Sequence, residues 1–260
     1  TFGGRMTLNH SNAIEDQQLT IDGDFGHIMA GAQDGVVDGM DSFMTPGSAI
    51  IENGSATTNG GSAGVGLLSS SMVADNPGTV KVGFRTNEIS GFQAGVSYED
   101  GGSTATANND MTAWIVTYDL GVAKLGYANS TTGSTTANGA KTDQSQVGIG
   151  TSFAGVGVSA GFGSSKTAGA NGNADTSKID TRDVGLTYSV DDATGLYAVF
   201  YSSEEKTGSN AGDKMSGTTF GLSYTIAPGV SGLLETASSD YTDATAAIES
   251  LSFKFINFTP

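Results

Sequence analysis

The chain has no cysteine, and among its 260 residues there are four prolines, one tryptophan and two histidines. Without cysteine, disulfides, thiol nucleophiles and cysteine-ligated zinc drop out together. The histidines, His10 and His27, belong to no HExxH pattern and no serine/histidine/aspartate spacing, so they read as scattered surface or strand residues and no enzyme is expected. The acid pairs Asp191/Asp192 and Glu204/Glu205 fall in a turn and a loop and read as solvated. Basic residues are scarce too: 11 Lys and Arg stand against 27 Asp and Glu, a formal net charge of −16, which argues against a nucleic-acid partner. No run approaches the roughly 20 apolar residues of a membrane helix. With 37% hydrophobic residues and a mean hydropathy of −0.12, the chain has too little apolar matter for a helix-rich globule of this size, but enough for one face of a sheet. If it spans a membrane, strands of about 9–11 residues must do it, closed into a barrel.

What the chain has in abundance is alternation. In Thr79–Thr86, Val80, Val82 and Phe84 share one face while Lys81, Gly83 and Arg85 share the other. Phe2, Met6 and Leu8 alternate with Arg5, Thr7 and Asn9, Phe92 to Tyr98 alternate with Gln93 to Glu99, and Val184 to Val190 alternate with Asp183 to Ser189. The pattern predicts fourteen strands, at about 2–9, 15–23, 25–33, 79–86, 91–98, 111–119, 121–128, 145–153, 156–163, 180–190, 194–203, 215–226, 229–238 and 247–258. The connections alternate as well. Tight turns carrying Gly, Asp, Asn or Pro, such as Phe153-Ala-Gly155 and Ala227-Pro-Gly229, take turns with polar loops at about 34–78, 99–110, 129–144, 164–179, 204–214 and 239–246. Long loops on one side and short turns on the other are the asymmetry of a membrane barrel, and a soluble sandwich has no reason to keep it. The expected fold is therefore all-β: a single transmembrane antiparallel β-barrel over 1–260, with aromatics such as Tyr98, Trp114, Tyr118, Tyr127, Tyr188, Tyr201 and Tyr224 as interfacial belts. Phe84, Phe92, Val184, Leu222 and Phe253 are expected to face lipid or a neighbouring subunit.

The stretch Leu19–Gly31, with Gly23-Asp-Phe-Gly26 between two strands and a loop of about 45 residues after it, resembles the hairpin that precedes the long inward loop in general diffusion porins of alpha-proteobacteria. The serial hairpins and the closing Ser250–Phe255 are similar to the same family. The resemblance implies a barrel of sixteen strands, two of which would precede Phe2–Asn9, and a terminal Phe where this chain continues past Phe255 to Pro260. Thr1 already lies in a strand pattern, so the sequence reads as mature or trimmed. The resemblance also implies location in the outer membrane of a Gram-negative bacterium, contact with its lipid, homotrimers using strands at the two chain ends, no cofactor, and passage of small hydrophilic solutes and ions.

On that reading 34–78 is the inward-folded constriction loop. It carries Asp34, Asp38, Asp41, Glu52 and Asp75 and no Lys or Arg. Arg5, Lys81 and Arg85 sit at the polar phase of their strands, with Lys124 and Lys254 as further candidates for a basic wall. An Arg or Lys facing lipid at mid-depth would cost about 2–4 kcal/mol, which favours the lumen for them. The pore constriction is thus expected to use Arg5, Lys81, Arg85 and Lys124 against Asp34, Asp38, Asp41 and Glu52. Asp34, Asp38 and Asp41 also form a set of hard carboxylate ligands suited to Ca²⁺, although the EF-hand spacing is absent. Two other functions fit the composition less well: a substrate-specific outer-membrane channel, for which no aromatic ladder is recognisable, and a non-channel surface adhesin or layer protein.

Overall fold

The computed structural model describes residues 1–8, 14–33, 35–37, 40, 79–101, 109–134, 139–169, 175–227, 230–242 and 253–259. They form β1 (Phe2–Leu8), β2 (Ile14–Gly23), β3 (Gly26–Gln33), β4 (Thr79–Arg85), β5 (Phe92–Glu99), β6 (Asn109–Asp119), β7 (Lys124–Ser134), β8 (Lys141–Phe153), β9 (Val156–Ala168), β10 (Asp175–Ser189), β11 (Thr194–Thr207), β12 (Lys214–Ala227), β13 (Val230–Thr242) and β14 (Phe253–Thr259). The fourteen strands make one sheet in which each pairs antiparallel with its neighbours in sequence, and among the described residues no pairing joins β1 to β14. Two-residue reversals explain this meander locally. Between β8 and β9, Ala154 and Gly155 both take positive φ, 50° and 79°, the backbone of a hairpin turn whose twist matches the strands it joins.

Register carries one side-chain phase across the whole sheet. The outer phase holds Phe92 and Val96, Trp114 and Tyr118, Val147 and Ile149, Val184, Leu186 and Tyr188, Leu196 and Phe200, and Phe220, Leu222 and Tyr224, all exposed. A water-soluble sheet would cover such a band, whereas a membrane barrel offers it to lipid. Trp114 and Tyr127 pack at 5.0 Å with their planes tilted by 41°, and Phe200 meets Phe220 edge-on at 6.0 Å. Tyr118, Tyr188 and Tyr224 lie toward the short turns. The inner phase holds small and polar residues, among them Gly95, Ser97, Ser130, Gln146, Thr181 and Thr219, all buried.

Three expectations shift. Tyr201 is not a belt residue: it is buried on the inner phase, its ring lying over Gly217, which pairs with it across β11 and β12. Phe253 pairs with Ser239, the phase shared by Ala237 and Thr219, so its register is opposite to that of the lipid-facing residues. The strands also run further toward the long loops than the apolar alternation marks: β7 reaches Ser134, β10 starts at Asp175 and β11 reaches Thr207. Those extensions are mostly polar on both faces and carry the ladder on through β-bulges at Lys178/Ile179 and Asp175/Ser177, so the apolar code stops before the pairing does.

Candidate functional site

The chain leaving β3 returns onto the inner face of the sheet. Val36, Val37 and Met40 are all but inaccessible and pack with Met111, Ala113 and Ile115 of β6 and Ala128 of β7, with Met29 of β3 against them. Glycine makes room for this. A Cβ on Gly95 would lie 3.2 Å from both Val36 Cβ and Ile115 Cγ2, and one on Gly83 would lie 3.6 Å from Val36 Cγ1. The segment is also tied by its backbone: Arg85 Nη2 donates to the Val36 carbonyl at 2.9 Å, and the Val36 N–H donates to Ser97 Oγ at 3.4 Å. An arginine thus fixes a main-chain oxygen in a place poor in water, where a hydrogen bond to a charged donor counts for more than at the surface.

Lys81, two inner-phase positions along β4 from Arg85, is 3% exposed, with its Nζ 3.7 Å from Oε2 of Glu99, its register partner on β5. Two opposite charges withdrawn from water hold each other, and removing either strands the other at a cost of roughly 3–5 kcal/mol. Lys81 and Arg85 therefore share one wall with the docked segment. Arg5 pairs with Gln18, two residues from Thr20, which pairs with Met29, so its register continues the same inner phase through β2 and β3. Lys124 shares that phase but stands at the short-turn end of β7, largely exposed, 3.4 Å from Asp119 across the hairpin. It lines a cleft of about 310 Å³ with Thr151, Ser159, Gly185 and Thr187. Asp34, Asp38, Asp41 and Glu52 lie outside the described residues, as do the Ca²⁺ ligands among them. Among the described residues, no three His, Cys, Asp or Glu side chains are grouped to hold a metal ion.

Some inner-face residues were not singled out from sequence. Glu99 ends an alternating run, Gln93, Gly95, Ser97, Glu99, whose polar side was the available signal. A second cluster joins Ile179, Tyr197, Val199, Tyr201 and Met215, with Leu233 and Tyr241 against it. There Tyr241 donates to Asp213 Oδ2 at 2.5 Å and Ser177 to Glu205 Oε1 at 3.1 Å. Asp213, Glu205 and the inner-phase Asp183 are all buried. One wall therefore carries both signs of charge beside a docked segment, and another carries acids alone.

A family model described as Gram-negative porin matches residues 1–244. No curated sequence matches the chain. Among solved structures, an anion-selective porin from Comamonas acidovorans superposes with a TM-score of 0.69 at 13% identity, covering 97% of this chain and 77% of that one. OmpT of Vibrio cholerae, an outer-membrane protein, gives 0.69 at 14% identity, covering 98% and 80%. OmpF of Salmonella typhi, in complex with daunomycin, gives 0.58 at 12% identity, covering 95% and 79%. At these identities the likeness is one of fold, a β-barrel.

Proposed function

Because this chain belongs to the Gram-negative porin family, a β-barrel channel of the bacterial outer membrane for passive diffusion, we propose that its conductance is set where the segment after β3 lies against the β4–β7 wall. The observation that carries this reading is the hydrogen bond from Arg85 to the Val36 carbonyl, beside fully buried Val36. Residues 34–78 fold inward from that anchor as the constriction loop. Arg5, Lys81 and Arg85 then face Asp34, Asp38, Asp41 and Glu52 across the narrowest water, and the transverse field favours small polar solutes and ions over apolar ones. Water and salt screen that field over about 10 Å at 0.1 M, so only the narrow zone discriminates. The family supports a channel rather than an enzyme, and three copies assemble as a homotrimer in the lipid of the outer membrane.

Planar-bilayer recording tests the channel and its constriction together. Stepwise conductance is expected, with reversal potentials in a tenfold salt gradient moving toward cations in an Arg5→Ala/Arg85→Ala variant and away from them in Asp38→Asn/Asp41→Asn. Both shifts should shrink near 1 M salt, where screening acts within about 3 Å. Unchanged ion preference in both variants would remove these side chains from the constriction. Crosslinking in mild detergent checks the trimer.

A further inference from the structure

Charge is divided between the two faces of β8–β13 very unevenly. On the outer phase, above the apolar band, stand Lys141, Lys166, Lys178, Arg182, Lys206 and Lys214, six of the chain's 11 basic residues. Four of them lie against carboxylates there: Lys141 at 3.0 Å from Asp143, Lys166 at 3.1 Å from Asp175, Lys178 at 3.5 Å from Asp180 and Lys206 at 2.7 Å from Glu204. These side chains leave the wall on the side away from the lumen, and their charge is largely cancelled in place. The inner phase of the same strands contains no Lys or Arg, but does contain Asp183 of β10 and Glu205 of β11, with Asp213 at the head of β12. Of the four inner-phase cations elsewhere, Lys81 is balanced by Glu99 and Lys124 by Asp119, while Arg85 is engaged with the Val36 carbonyl and Arg5 stands on β1, with the acid Asp22 of β2 on that same phase.

Resting on the channel reading above, we infer that the lumen selects small cations, and that the β10–β12 wall, through Asp183, Glu205 and Asp213, supplies a second determinant of that preference apart from the segment docked on β4–β7. The sum over the inner face is what an ion in the water column feels, because fixed charges beside a low-dielectric wall focus their field into the water they border. Cations placed outside the wall cannot offset the acids inside it. The preference is thus opposite to the one named for the Comamonas acidovorans porin, whose fold this chain shares.

The test is the reversal potential of the protein, extracted from outer membranes and inserted in planar bilayers, in a tenfold KCl gradient. The expected result is K⁺ preferred over Cl⁻ by several-fold, a permeability ratio that falls at least twofold in Asp183→Asn/Glu205→Gln, and no change in Lys178→Gln/Arg182→Gln. Asp213→Asn alone should lower the ratio in the same direction, so the inference does not depend on one variant folding. Conducting channels that prefer Cl⁻, or show no preference, would overturn this inference and leave the channel reading standing. So would an unchanged ratio in the acid variants, or a changed one in the outer-face control. Absence of any conductance would sink the channel reading and this inference with it.

Discussion

Arg85 reaches across 49 positions of sequence to hold the carbonyl of Val36, Nη2 to oxygen 2.9 Å. Its strand neighbour Lys81 is engaged with Glu99, so the two cations of β4 serve different partners four residues apart.

Removing the Arg85 side chain should loosen the docked segment more than it destabilises the sheet. A hydrogen bond to a charged donor in such a place contributes about 1.5–3 kcal/mol. Arg85→Ala is expected to give larger and noisier single-channel conductance, with Arg85→Lys between it and the parent. A variant with unaltered conductance and noise would mean that Val36 is held by its apolar contacts alone.

Filling the space under Val36 should have a related effect by another route. In Gly95→Val the Cβ alone already stands 3.2 Å from Val36 and Ile115, so the added methyls must push one of them aside. Overpacking of this kind costs about 1–3 kcal/mol. The expected outcome is a lower unfolding temperature for the detergent-solubilised barrel on a heat-modifiability gel. Gly133→Ala, whose Cβ would meet nothing within 4 Å, is the control and should not shift it.

The β10–β11 turn supplies a pH dependence. The Asp191 carboxylate accepts the N–H groups of Ala193 at 2.9 Å and Thr194 at 2.7 Å, and these bonds, that from Ala193 first, hold its pKa below the ordinary value. A carboxyl with a lowered folded-state pKa stabilises the folded state above its unfolded pKa, near 4, and loses that contribution as pH falls through the lowered value. Denaturant midpoints measured from pH 6 down to pH 2 should therefore separate the parent from Asp191→Ala at the upper end and bring them together at the lower end. Parallel curves over the whole range would show that the turn does not depend on the charge.

Much of the fold was legible because a strand with one face in lipid and one in water writes its phase into the sequence. Val184, Leu186 and Tyr188 declared β10, and Asp183 and Gly185 its other face. The code fails where both faces meet water. From Asp175 to Arg182 the residues of β10 are mostly polar on either side, and the pairing with β9 and β11 that keeps them extended is not visible in one strand alone. Tyr201 was misplaced for a similar reason: its inner position follows from register with Gly217, a relation between distant residues. In the site, the β4 cations followed from phase, but Glu99 as the partner of Lys81 and Val36 as the partner of Arg85 needed the third dimension.

The unequal strand lengths shape the way in. β4 and β5 are 7 and 8 residues long, while β10 and β11 are 15 and 14, and each set ends at short turns on the same side. At about 3.3 Å per residue and a tilt near 40°, the strand-built wall among the described residues rises roughly 20 Å less over β4–β5 than over β10–β11. The described wall is therefore stepped, and its low side is the one where Arg85 and Val36 meet.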